Sequence, residues 1–277
     1  MTISMSGQLV ADEWAWLYEF FEIPHCCPQQ VREAIEGLGP DEDLVIEINC
    51  PGGDVWAGFE IFGMLQACRA HTEAHITAMA ASAATTVTSA CDTVLASPVA
   101  QLMIHQPSAA VMDYLDNDGA KELLNFLDSV KASIINGYVL KAGGKTPRST
   151  FERLVDDSTW MPVQDAIELG LVDGILDADE EAAARIREMG GVLVTNMAML
   201  QPGGPADLLR RYEDAVRNGA KAAPGHPVET AGEPEAVNLA EDPEPVSEPE
   251  PEPEEEARDE AWRMRARLAL EKERAGK

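Results

Sequence analysis

The stretch "LVIEINCPGGDVWAG" constrains the fold more than any other part of the chain. Leu44 to Cys50 is a mostly apolar run of strand length. "PGGD" breaks it, and Val55, Phe59, Phe62, Leu65 and Cys68 then recur at helical spacing. That is one β-α unit, and the pattern repeats. "AHITAM" reads as the next strand, with a helix from about Ser82 to Cys91. "TVLAS" and "QLMIH" read as short strands. From Asp116 to Ala142, Leu123, Leu127, Val130, Ile134 and Tyr138 form a long apolar stripe that stops at Gly143-Gly144. A short helix is expected over about Ser149 to Val155, and "VQDAIELGLVDGIL" gives a helix, a glycine stop and a last strand. Stacked β-α units of this kind predict an α/β fold with mostly parallel pairing.

The chain has 277 residues and a net charge of -28. A balance so acidic argues against nucleic acid or an anionic membrane as a partner held by bulk electrostatics. The most apolar region, Ile76 to Ile104, is interrupted by Asp92 and rich in Ser and Thr, so it reads as buried core and not as a membrane span. The first residues carry no basic segment followed by an apolar run, so no secretory signal is expected. Cys26, Cys27, Cys50, Cys68 and Cys91 include no C-x-x-C pair. They read as free thiols of a reducing, cytoplasmic compartment, with neither a metal site nor a cofactor implied.

Composition changes after about Asp177. Residues 178–218 read as a helical extension with two stretches, "DEEAAARIREMG" and "PADLLRRYEDAVRNG". Residues 219–256 are Pro/Glu-rich and expected to be a disordered acidic linker, since they cannot bury enough surface to offset ordering entropy. Fourteen acids fall between Glu229 and Glu260, so much of the net charge says nothing about the fold. The stretch "EEEARDEAWRMRARLALEKERAGK" places acids first and bases last along good helix formers, which predicts a short terminal helix over residues 257–277.

Three features have the chemistry of an acyl-transfer site. The first is the Gly-Gly turn after a strand, where Gly53 can bring a backbone N–H close to a developing oxyanion. The second is Ser82, at a strand-to-helix junction among alanines, followed by the N–H of Ala83 at the helix start. Ser82 also has the character of a helix cap. The third is His105, at the end of the strand "QLMIH", where it reads either as a base or as an edge residue. Together they supply a nucleophile, a general base and an oxyanion pocket at strand ends, where open parallel sheets place ligands.

"INCPGGDVWAG", "AMAASAAT", "LMIHQP" and "AIELGLVDGIL" come in the order and spacing of the ClpP-like serine proteases, which the chain resembles over roughly Leu44 to Asp177. The resemblance implies a ClpP/crotonase-like superfold over residues 1–177. It implies Ser82 as nucleophile, His105 as base, and the N–H groups of Gly53 and Ala83 as the oxyanion hole. The long helix from Asp116 resembles the family's subunit-contacting handle, so a homo-oligomer is implied. "STWM" and the acidic tail look more like the phage or prophage branch, the prohead proteases. That would make capsid and scaffold proteins the substrates, processed in a host cytoplasm or immature head.

The family pattern has an Asp two residues before the aromatic that precedes the last short helix. Here that aromatic is Trp160 and the residue two before it is Ser158. Asp157 is the expected third member of the triad, with Asp156 the neighbouring alternative. Three rival readings share the pattern: a crotonase-type acyl-CoA enzyme, a Ser–Lys hydrolase using Lys121 or Lys131, and an inactive capsid assembly factor on the same fold.

Overall fold

The computed structural model describes residues 1–111, 114–177 and 204–226, with the backbone of 194–195. The elements run β1 (Thr2–Ser6), β2 (Gln8–Leu9), α1 (Asp12–Phe20), β3 (His25–Cys26), α2 (Pro28–Glu36), β4 (Leu44–Cys50), α3 (Val55–Ala67), β5 (Thr72–Ala81) and α4 (Ala83–Thr88). They continue with β6 (Thr93–Ala96), β7 (Gln101–Ile104), α5 (Asn117–Ala142), α6 (Arg148–Asp156), β8 (Thr159–Pro162), α7 (Val163–Leu169), β9 (Gly174–Ile175), β10 (Val194–Thr195) and α8 (Pro205–Arg217). The α/β architecture expected from the repeat of strand and helix is present.

The main sheet runs β1-β4-β5-β7-β8-β10 and forks at β5. Residues Glu73 to Ile76 pair with β6, and Met79 to Ala81 pair with β7, both parallel. One strand can serve two partners because β5 has ten residues and each partner only four. β6 in turn pairs with β9. Pairing is parallel except at β7–β8 and β8–β10. The strand β8 is one the sequence pattern does not announce: Trp160 and Met161 lie between Thr159 and a proline, without the longer apolar run that marks β6 and β7. β1, β2 and β3, which pair with β4 or with each other, are likewise absent from the sequence reading.

Inward positions of β4 alternate as a half-buried strand requires, with Leu44, Ile46, Ile48 and Cys50 buried. Asp54 caps α3 by accepting from the Ala57 N–H at 2.8 Å, and Asp116 caps α5 by accepting from Gly119 at 2.8 Å. Gly143 ends α5 in the left-handed conformation, φ 57°.

The buried face of α3 differs from the expected one, and the expected stripe of α5 is fully buried only over its second half. In α3 the buried residues are Ala57, Gly58, Ile61 and Leu65, while Phe59 and Phe62 are only partly covered. The buried face needs small residues, because a Cβ on Gly58 would sit 3.4 Å from the Ala83 Cβ of α4. In α5 the stripe is buried only from Val130 onward; Leu124 and Phe126 are exposed. The first half of this helix projects beyond the core that covers its second half.

A second cluster joins the N-terminal elements to α8: Leu17 and Tyr18 of α1 lie with Leu208 and Tyr212, and Trp16 stacks on His226 at 3.7 Å. The stretch "PADLLRRYEDAVRNG" therefore packs on α1, and the chain follows it back through residue 226. The expected acidic linker beyond that point, the terminal helix and the stretch "DEEAAARIREMG" lie outside the described residues. Among the described residues no helix is long and apolar enough to cross a membrane, and no group of three His, Cys, Asp or Glu side chains could hold a metal.

Candidate active site

The site is built where β5 stops. Its last residue, Ala81, pairs with Met103 of β7, and the next N–H, that of Ser82, donates to the Met103 carbonyl at 2.8 Å. Ser82 then turns sharply into α4 with φ 56° and ψ -128°. A non-glycine residue held there costs about 1–3 kcal/mol, which the surrounding packing must offset. Its side chain caps nothing: no bond runs from Ser82 Oγ to the α4 backbone. The hydroxyl instead lies 2.7 Å from His105 Nε2. With the ring proton on Nδ1, Ser82 Oγ–H donates and Nε2 accepts. Burial holds the His105 pKa below its ordinary 6.5, so the ring is neutral and ready to accept at pH 7.

Pro51-Gly52-Gly53 comes against this elbow from the end of β4. Asp54 N–H donates to Leu9 O, and Leu9 N–H to Gly52 O, both at 2.9 Å, so the turn is stitched to β2. The N–H groups of Gly53 and Ala83 have no acceptor among the described residues. Both residues line a cavity of about 510 Å³ together with Ser82 and His105. Phe126, Leu127, Val130 and Ile134 of α5 give this cavity an apolar wall.

Support comes from two residues the sequence pattern marks only as core. Thr85 Oγ1 donates to the Ser82 carbonyl at 2.6 Å and lies 2.7 Å from the hydroxyl of Tyr138. Tyr138 is fully buried, and burial pushes its pKa up to about 12. The handle-like helix α5 is thus tied to the back of the elbow.

The expected third member is not assembled. Asp157 follows α6 as its C-cap, φ -79° and ψ -5°, and its carboxylate faces Arg153 at 3.6 Å. Among the described residues no hydrogen bond or ion pair joins it to His105. Asp156 accepts from Lys131 Nζ at 2.7 Å and Gln106 Nε2 at 3.0 Å. The reason is register. β7 and β8 pair antiparallel up to Ile104↔Thr159, so the residue next in line with His105 is Ser158, in a left-handed turn with φ 52°. Lys131, thus engaged, and Lys121, paired with Asp118 at 2.9 Å, have no contact with Ser82.

This geometry can be set beside known proteins. The Clp protease family matches residues 30–179, more than half of the chain. The chain belongs to the Clp protease family. ATP-dependent Clp protease proteolytic subunit 1 of Chlamydia muridarum is 36% identical over 149 residues, covering 51% of this chain and 74% of that protein. The Chlamydia abortus protein of the same name is 34% identical over 149 residues, with the same coverage. That of Protochlamydia amoebophila is 32% identical over 154 residues, covering 53% and 71%. The ClpP-like fold accounts for the forked parallel sheet and the long α5. The N-terminal elements through β3, and α8, lie outside the residues that the family matches.

Proposed function

We propose that this chain is a serine endopeptidase of ClpP type with Ser82 as nucleophile and His105 as general base. The observation that carries the reading is the 2.7 Å contact between His105 Nε2 and Ser82 Oγ on a strained elbow, beside two N–H groups with no acceptor among the described residues. Ser82 Oγ attacks a peptide carbonyl while His105 Nε2 takes its proton. The N–H groups of Gly53 and Ala83 hold the oxyanion. His105 returns the proton to the leaving amine, and water then hydrolyses the acyl-enzyme. The reading asks for no metal or cofactor in these steps.

Asp157 is the acid proposed to orient His105 Nδ1. To do so it must give up Arg153, and that exchange is cheap. Both side chains are about half exposed or more, and a surface pair of this kind is worth about 0–1 kcal/mol.

The substrates proposed are the capsid and scaffold proteins of a phage head, and the working form a homo-oligomer. The acid-rich segment Glu229–Glu260 supports the first and the projecting half of α5 the second. The test is intact-mass analysis of wild type and Ser82→Ala, each coexpressed with a capsid protein. Cleavage by wild type alone, with fluorophosphonate labelling lost in Ser82→Ala, is the expected result. Labelling retained in Ser82→Ala would sink the nucleophile. Shells assembled alike, with no proteolysis by either chain, would favour an assembly factor.

A further inference from the structure

We propose that Gln8 and Tyr18 form a polar subsite of the Ser82 cavity that takes an uncharged hydrogen-bonding side chain of the substrate, a carboxamide or a hydroxyl. The inference rests on the reading of Ser82 as the nucleophile. It concerns residues outside the segment that the Clp protease family matches.

Gln8 is 8% exposed and Tyr18 0%. Both line the cavity that holds Ser82 and His105. Gln8 Oε1 and the Tyr18 hydroxyl are buried and have no hydrogen-bond partner among the described residues. The Gln8 backbone is satisfied: its N–H donates to Pro24 O at 3.1 Å, and its carbonyl accepts from Cys26 Sγ at 3.8 Å. Only the side-chain amide is left over. It runs beside the oxyanion turn, since a Cβ built on Gly53 would lie 3.1 Å from Gln8 Cγ. Tyr18 comes from a different element, held by the cluster of Leu17, Leu208 and Tyr212.

Leaving a buried polar group unpaired costs about 1–3 kcal/mol, and such groups are rare in folded proteins. Two on residues that line one cavity, next to a nucleophile, fit a site awaiting a hydrogen-bonding ligand. The chemistry limits the ligand. A carboxamide both donates and accepts, and burial keeps the phenol protonated, so it does the same. Among the described residues the one carboxylate lining the cavity, Asp54, is occupied as the cap of α3. Among the described residues nothing there compensates a buried cation, and no Lys or Arg side chain lines the cavity to meet a carboxylate. An uncharged polar side chain fits, while the apolar wall of α5 takes its neighbour in the substrate.

The test uses the full chain with quenched-fluorescent peptides in which each position flanking the cut is varied in turn. Fluorophosphonate labelling of Ser82 is measured in parallel. At one position, kcat/KM should favour Gln, Asn, Ser or Thr over Leu or Val by at least about tenfold, since unpaired polar groups reject an apolar occupant. Tyr18→Phe and Gln8→Leu should each bring that ratio toward one. Tyr18→Phe removes only an unpaired oxygen, so it should fold with an unchanged or higher Tm. A ratio unchanged in both variants, or no such preference in wild type, overturns the subsite alone. Loss of Ser82 labelling in Tyr18→Phe also overturns it, because the residue would then be supporting the elbow. A wild-type chain that is neither labelled nor active overturns the hydrolase reading and the subsite with it.

Discussion

Gly52 lies against Ser82 so closely that no side chain fits between them. A Cβ on Gly52 would fall 2.6 Å from Ser82 Cβ and 2.5 Å from the Ala81 carbonyl oxygen. The glycine also has φ +91°, where an L side chain is strained. Gly52→Ala must therefore push the turn off the elbow or move the elbow itself. Strain of this kind costs about 1–3 kcal/mol. We expect a lowered Tm and loss of fluorophosphonate labelling, measured on the same preparation. Normal labelling in Gly52→Ala would show that the elbow tolerates the displacement.

The pH dependence follows from His105. Its folded pKa is held below 6.5 by burial, so the neutral ring persists to lower pH than in the unfolded chain. Catalysis needs that neutral ring. The acid limb of kcat/KM should therefore lie below pH 6.5, with the plateau reached by neutrality. The stability contribution has the same direction: full above 6.5, and lost as pH falls through the depressed value. An acid limb at or above pH 7 would contradict this environment for His105.

Ser158 offers a direct probe of the missing acid. It stands next in line with His105 across β7 and β8, and its left-handed φ of 52° is one that Asp tolerates better than most residues. Ser158→Asp should raise kcat by about tenfold or more by fixing the His105 tautomer. It should also move the acid limb up, because a carboxylate beside the ring favours its protonated form. Asp157→Asn should lower kcat if Asp157 fills the role by leaving Arg153. An unchanged kcat in Asp157→Asn would remove Asp157 from the mechanism.

Tyr138 ties α5 to the elbow through Thr85. Tyr138→Phe keeps the packing but removes the 2.7 Å bond, while Thr85 keeps its bond to the Ser82 carbonyl. The expected loss is about 0.5–1.5 kcal/mol in denaturant unfolding, with a modest fall in kcat. A loss above about 3 kcal/mol would point to a larger hydrogen-bond network than these two bonds.

Assembly is testable on residues that do not line the catalytic cavity. Leu124 is 63% exposed and Leu140 58% exposed on α5, and neither lines the Ser82 cavity. If α5 meets a second subunit, Leu124→Glu with Leu140→Glu should reduce the mass seen by light scattering. An unchanged mass would place the subunit contact elsewhere.

Much of the fold was legible because apolar periodicity is a local property. The runs that form β4, β5, α5 and α7 carry their own period, and Gly143 and Gly170 mark where helices stop. What escaped were the short pieces. β2, β3 and β8 have too few residues for a period, and they exist because a neighbouring strand pairs with them. The buried face of α3, and how far along α5 the stripe is covered, escape for a related reason. Which side of an apolar helix is buried depends on where Ala83 and the core lie, and on how far the helix outruns them.

The sequence by itself determined the α/β class and nominated Gly53, Ser82, Ala83 and His105, since each stands where one element ends and another begins. Only the tertiary structure decided how they meet. Ser82 and His105 are 23 residues apart, and the pairing of β5 with β7 brings their atoms to 2.7 Å. The register of β7 on β8 put Ser158, not Asp157, in line with the ring. The return of the N-terminal elements along β4 carried Gln8 and Tyr18 into the same cavity. Strand register and long-range packing set these distances, and neither can be read from the spacing of residues along the chain.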